Sequence, residues 1–415
     1  MTTTNDAPAR PAWTGRQASL EAVLAFAWDN DAFTSSDVMP AVGLTRSTTI
    51  EAIDDLIAWG LVRELPNARA VDDYRRGRPA RRFELREDAG LIVGVDAGRL
   101  HLSATVADLR GTPLASVAHE TGALTPSDVD DPAEAGSRRA AVQAVIDEAL
   151  HQAGGARSDV FAVCVGVPAP VDRAGRSPLH RNAFWRRMNP ELAEMLSTWA
   201  PAVRIENDAS LAAVAEGAVG AARGCDDFVA LLAGERLGAG VVLDGRLVRG
   251  AHGGAGEAKA LDRVEGVGRA DGVGHWIARW TREAIETGEI PPEHPLALTA
   301  PDELSARDVL SLAGTGDPSV EAIVERAGAL LARVAGVFAS FFDPQVIVIA
   351  GAVAAGIHPV IDAARVLLPA EVDLPAPQLL ASTLGAGVVT TGAVAAALET
   401  ARATVLPLAA ERAGA

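Results

Sequence analysis

Apolar residues along this chain switch repeatedly between helical and strand spacing. From Arg16, the positions Leu20, Val23, Leu24 and Ala27 recur on one helical face until Asp29-Asn30-Asp31 interrupts them. Thr34-Ser35-Ser36-Asp37 caps a short helix through Val42, Gly43 turns the chain, and Thr45 caps a further helix to about Trp59. Gly60 ends that helix, and residues 61–65 read as a short strand. Leu91 to Leu109 reads as two buried strands around a tight Asp96-Ala97-Gly98 turn. Beyond them come a helix over 133–153, a buried strand over 160–167, and a strand over 203–208 that ends in polar residues and opens a helix through Ala222. Phe228–Leu232 and Gly238–Leu243 read as a hairpin closed by Asp244-Gly245. A Pro-rich connection near 288–300 and a helical part from Leu304 lead to one long amphipathic helix, Pro318 to Phe342. A core strand over 346–351, a helix, and a last strand and helix over 379–400 complete the pattern.

A chain of 415 residues exceeds one ordinary core, and 49% hydrophobic with 22% charged residues is a globular composition. The longest apolar run, Val346 to Ile357, is too short to span a bilayer, and no secretory pattern opens the sequence, so the expectation is a cytoplasmic protein without a membrane partner. Residues 1–15 lack periodicity and read as a disordered arm. A net charge of −17 argues against non-specific nucleic-acid binding by the whole surface, though not against a local basic patch. Lys259 is the only lysine. Cys164 and Cys225 are the only cysteines and can form neither a cysteine-rich metal site nor a disulfide framework.

Helix, glycine turn, helix and strand over residues 16–65 is a helix-turn-helix layout. Its second helix opens with Thr45, Arg46, Ser47, Thr48 and Thr49, while Ile50, Ile53, Leu56 and Ile57 turn inward. Small hydroxyls and one arginine at the start of such a helix suit base edges in a major groove; alternatively, Thr45 and Ser47 only cap the helix. Tyr74-Arg-Arg-Gly-Arg-Pro-Ala-Arg-Arg-Phe83 follows as a basic hairpin on an acidic chain. Arg76, Arg78 and Arg81 are therefore candidate contacts to phosphates or a minor groove, against the plainer reading of a solvated charge run. The position directly after a helix-turn-helix favours double-stranded DNA as partner.

Gly-Arg-Pro-Ala-Arg-Arg-Phe-Glu-Leu, Asp88-Ala-Gly90 and the Gly-Val-Asp strand, in that order, resemble the ROK family (repressors, open reading frames, kinases) and especially its transcriptional regulators. Gly166-Val-Pro-Ala-Pro-Val-Asp172 is similar to the family's Gly-x-Pro-Gly-x-Val-Asp turn, and Arg181-Asn-Ala-Phe-Trp185 to its Pro-Asn-Leu-x-x-Trp segment. The resemblance runs from about Arg16 to about Leu398. It implies an α/β fold: a winged helix-turn-helix over 16–86, then a two-lobed actin-like, ribonuclease-H-like body over 87–415. Lobe one would take about 90–205 plus 385–403, and lobe two about 206–384. It also implies a homodimer or homotetramer, and a sugar or sugar phosphate as effector in the cleft between the lobes.

For the residues that would carry chemistry, the resemblance implies a catalytic base at Asp208 in Glu206-Asn207-Asp208 and a sugar-binding glutamate at Glu257 in Gly253-Gly-Ala-Gly-Glu257. Asn207, Asp208 and Glu257 are the candidates for sugar hydroxyls; an Asn-Asp pair also serves as a helix N-cap. The departures are equally specific. Arg99, Leu100 and His101 follow Asp96-Ala-Gly98 where the first phosphate loop would have glycine, threonine and lysine. Gly234-Glu-Arg-Leu-Gly-Ala-Gly240 stands for the second loop, Gly-Thr-Gly-x-Gly-x-Gly, and places Glu235 where a triphosphate would lie. Ala258-Lys259-Ala260 replaces the x-Gly-His after the glutamate, and the thiol-free 264–274 replaces the zinc loop, so neither zinc nor another cofactor is expected. The expectation is a repressor of carbohydrate-related genes with Asp208 as a relict base and no catalytic activity. The alternatives are an active sugar kinase and a DNA-binding scaffold indifferent to ligand.

Overall fold

The structure, a computed structural model, describes residues 15–66, 80–121, 132–179 and 183–414. Arg76, Arg78 and most of the arm at 1–15 lie outside the described residues.

The N-terminal unit comprises α1 (Gly15–Asp29), β1 (Phe33–Thr34), α2 (Ser35–Val42), α3 (Arg46–Ala58), β2 (Val62–Leu65) and β3 (Arg82–Leu85). Its termini follow from local chemistry. The Asp37 carboxylate accepts the Thr34 backbone N–H at 2.8 Å before α2, Gly43 ends α2 with φ 69°, and Thr45 Oγ1 accepts the Thr48 backbone N–H at 3.4 Å to start α3. The strands form a small antiparallel sheet in the order β1-β3-β2, with Phe33 opposite Phe83 and Val62 opposite Leu85. Three helices backed by a small sheet give the winged helix-turn-helix layout.

The first lobe contains β4 (Leu91–Ala97), β5 (His101–Ala107), β6 (Pro113–Glu120), α4 (Pro132–Gln152), β7 (Val160–Val167), α5 (Phe184–Met188), α6 (Leu192–Leu196) and β8 (Val203–Asn207). The crossover helix α7 (Asp208–Ala218) leads to β9 (Phe228–Leu232), β10 (Gly238–Leu243), β11 (Arg246–Leu247), α8 (Val273–Thr287), α9 (Ala306–Leu310), α10 (Pro318–Phe342), β12 (Val346–Ala350), α11 (His358–Leu367) and β13 (Gln378–Ala381) in the second lobe. The last element, α12 (Val388–Arg412), returns to the first lobe. The two sheets, β6-β5-β4-β7-β8 and β11-β10-β9-β12-β13, share one topology: an antiparallel three-strand meander whose first strand pairs in parallel with the next strand, which pairs in parallel with the last. This repeat is the two-lobed actin-like fold.

One local expectation changes. Asp244-Gly245, both at positive φ, closes β10 onto β11 and not β9 onto β10. A two-residue primed turn joins the strands directly flanking it, whereas Ala233–Leu237 joins β9 to β10.

Between the lobes, α7 and α12 lie backbone to backbone. A methyl group on Gly392 would stand 1.9 Å from the Leu211 carbonyl oxygen, so only glycine permits this approach. The N-terminal unit is continuous with the same core: Leu20, Val23, Leu24 and Trp28 share one buried cluster with Leu109, Val394, Ala401 and Val405. Trp28 Nε1 donates to the Leu109 carbonyl at 2.6 Å, Arg110 donates to the carbonyls of Trp28 and Asn30, and Arg402 on α12 pairs with Asp29 at 3.1 Å. By length and composition α12 could cross a bilayer, but its apolar residues fill this core.

Candidate functional site

The cleft is built where β4, β7 and β8 end. Asp96 closes β4, and Asn207 and Asp208 mark the junction of β8 with α7. Asn207 Oδ1 accepts the Ser210 backbone N–H at 3.0 Å, while its Nδ2 donates to the Ala169 carbonyl at 3.2 Å. Asn207 thus caps α7 and ties it to the 166–172 turn, which leaves one of its N–H groups for a ligand. Asp208 accepts the Ala209 backbone N–H at 2.8 Å through Oδ1. Glu206 is buried and committed elsewhere: one oxygen takes Arg204 at 3.0 Å and Arg249 at 2.9 Å, and Arg204 continues to Glu399 on α12.

Glu257 arrives from the second lobe. The run before it requires glycine: Gly256 has φ 90°, and a Cβ there would stand 1.8 Å from the Ala239 carbonyl oxygen. That close approach lets Glu257 bridge to Gly238 on β10. Asp96, Asp208 and Glu257 are electrostatically coupled. Burial, then the charges of Asp96 and Glu257, push the Asp208 carboxyl up to about 7, and burial raises Glu257 against the pull of Arg236. The geometry therefore supplies a proton-accepting carboxyl and a second carboxylate for hydroxyl donors.

The Asp208 shift fixes a stability prediction. The unfolded carboxyl ionises near 3.8, so between about 4 and 7 the folded state holds the proton more tightly and stability falls as pH rises. Asp208→Asn removes that penalty. Thermal unfolding should show it more stable than the parent by roughly 4 kcal/mol at pH ~8 and equal to it near pH ~4; an unchanged difference across that range would contradict the coupling.

The two eroded phosphate loops meet each other. Arg99, on the turn after β4, donates to Glu235, on the loop before β10, at 2.6 Å. The His101 ring lies back over the Gly98 backbone and its Nε2 bonds Asp96 at 2.7 Å; Asp96, followed by Asp208 and Glu235, raises the imidazole pKa against burial. The carbonyls of Ala97 and Gly98 are taken by the buried Arg138, whose pKa desolvation lowers to about 10. An ion pair and an imidazole thus stand on the two loops that the family resemblance assigns to phosphates. In the sequence Arg99 and Glu235 stand as separate departures from the family's loops. Their opposite charges were the signal that they pair, and nothing local marked Arg138.

The segment that stands for the zinc loop is held by other means. The Asp262 carboxylate accepts the Ala270 backbone N–H at 2.7 Å, Arg333 donates to the Glu265 carbonyl at 2.8 Å, and Val267 and Ala270 are buried.

In the N-terminal unit, Thr45, Arg46 and Ser47 are exposed and Thr48 is partly so at the start of α3, and Arg46 has no hydrogen bond or ion pair among the described residues. One candidate is corrected, and another is already engaged. Thr49 is buried and its hydroxyl donates to the Thr45 carbonyl at 2.9 Å, because it falls on the inner face one turn along. Arg81 is committed to Glu64 at 2.9 Å and Asp54 at 3.2 Å, bracing β3 against β2 and α3.

Comparison with known proteins places this geometry. The sequence profile of the ROK family matches residues 92–260 and 274–398. The chain is 33% identical over 221 residues to the bifunctional enzyme NanE/NanK of Brucella suis, covering 49% of this chain and 38% of that protein. It is 25% identical over 230 residues to the xylose repressor of Caldicellulosiruptor bescii, covering 55% of this chain and 54% of that one. In both cases the chain spans less than two thirds of the relative's length. Among solved structures, a ROK family transcriptional regulator, a homolog of the E. coli MLC protein, superposes with TM-score 0.71 at 20% identity, over 95% of this chain and 99% of that one.

Proposed function

The chain belongs to the ROK family, and from that premise we propose that it is a DNA-binding transcriptional regulator, a repressor of carbohydrate-related genes, whose kinase-like body senses a ligand and no longer turns over ATP. The observation that carries the reading is the Arg99–Glu235 bridge between the two loops that a kinase needs open, in a chain whose N-terminal unit offers an uncommitted Arg46 at the start of α3. Residues 16–86 serve as the reading head on an operator duplex, 87–415 as the effector and oligomerisation body, and the working form is a homodimer or homotetramer because such heads read paired half-sites. Asn207, Asp208 and Glu257 meet the hydroxyls of a sugar or sugar phosphate. Ligand that closes the lobes moves α7 against α12, and α12 carries Trp28 and α1 with it, changing the spacing of paired heads.

Binding-site selection followed by titration of the chosen duplex at fixed salt tests this. Arg46→Ala should cost about 1–3 kcal/mol on the selected sequence and relax the preference at one base position. Equal loss on every sequence would assign Arg46 to the backbone, and no duplex preference by the parent protein would end the proposal.

A kinase reading retains one specific support, the coupled Asp208 carboxyl in an intact Glu206-Asn207-Asp208, and relatives of both kinds occur in the family.

A further inference from the structure

Beside the cleft, a pocket of about 360 Å³ opens between the 3-10 helix Ala258–Arg263 and the segment that stands for the zinc loop. Arg236, Lys259 and Arg269 line it together with Asp262 and Asp271. The two carboxylates are engaged: Asp262 holds the Ala270 N–H at 2.7 Å, and Asp271 pairs with Arg269 at 3.2 Å. Arg236 and Lys259 have no hydrogen-bonding or ion-pairing side-chain partner among the described residues, so the pocket keeps positive charge on a chain of net charge −17. The backbone bridge between Arg236 and Asp271 fixes the loop before β10 against the far wall, so Arg236 stands in a built corner.

We propose that this pocket binds the phosphoryl group of a small phosphorylated polyol whose hydroxyls reach Glu257 in the adjoining cleft. Two cations without side-chain hydrogen-bond partners, one of them a guanidinium, suit a phosphomonoester dianion. The volume is at the small-ligand end of ordinary binding sites, enough for one phosphoryl group and part of a sugar. Arg236 links the halves of the site, since its charge also acts on Glu257. Lys259 and Arg236 thus provide, where the family resemblance implied zinc, an anion site made of side chains.

The inference deepens the ligand half of the proposed function and is independent of whether α3 reads DNA. Calorimetry of the full chain with inorganic phosphate, glucose-6-phosphate, mannose-6-phosphate and the parent hexoses tests it. A sugar phosphate should bind more tightly than inorganic phosphate, and Lys259→Glu should weaken it at least ~10-fold with an unchanged unfolding midpoint. Arg236→Gln should weaken it similarly, and guards against a fold effect in the first variant. Failure of the parent to bind any of the phosphates, sugar-phosphate affinity unmoved in both variants, or inorganic phosphate binding as well as the esters would each overturn the proposal. Operator titration on the same preparations keeps a failure here distinct from failure of the regulator reading.

Discussion

Purified protein supplied with magnesium-ATP and a panel of hexoses should form ADP at least ~10⁴-fold more slowly than the roughly 1–100 s⁻¹ of working kinases. Phosphoryl transfer rests on holding the triphosphate and neutralising its charge, and loss of one preorganised donor alone typically costs ~10²–10³ in rate. Here both loops are altered and joined. Before ATP could enter, the 2.6 Å Arg99–Glu235 pair would have to part, the His101 ring would have to leave Gly98 and Asp96, and Glu235 would still face the phosphates. Asp208 alone should not restore the reaction, since a base activates a hydroxyl but does nothing to place its electrophile. A coupled ADP assay checks this. Turnover at an ordinary kinase pace, abolished in Asp208→Ala, would restore the enzyme reading.

Trp28→Ala should detach the N-terminal unit from the body. Trp28 is buried, donates to the Leu109 carbonyl at 2.6 Å and lies under Arg402. Truncating a buried tryptophan costs about 3–5 kcal/mol and here also leaves a carbonyl unpaired in the joint. Calorimetric unfolding should acquire a separate, earlier transition for the N-terminal unit, with faster amide exchange in α1, while the lobes melt as before. Trp28→Phe should retain much of the packing and fall between. A single unshifted transition in the alanine variant would mean that the joint is held elsewhere.

Much of this architecture was legible because its elements carry their own boundaries. Thr45 and Gly43 mark α3 and its turn, and the uninterrupted apolar run of β7 reads as a strand buried on both faces. β6 escaped because it is an edge strand in which only Val117 is buried, so no alternation distinguishes it from a loop. At the site, Asp208 and Glu257 were recognisable from their motifs, but their coupling to each other depends on two lobes meeting. Arg99 and Glu235 are 136 positions apart, and no local pattern pairs residues at that distance. Thr49 and Arg81 show the converse: side chains chosen by type were claimed by neighbours, one by its own helix and one by two carboxylates.

The placement of α12 bears on how the protein is made. This helix covers β4 and β7 and seats Trp28, yet it is synthesised after every other described element. A growing chain on the ribosome therefore carries its first sheet half-naked and its head without the α12 contacts until Val388–Arg412 emerges. Closing a contact of such sequence separation is slow, and bare apolar faces in the interval invite association, so chaperones and low temperature should matter more to its yield than to its final stability.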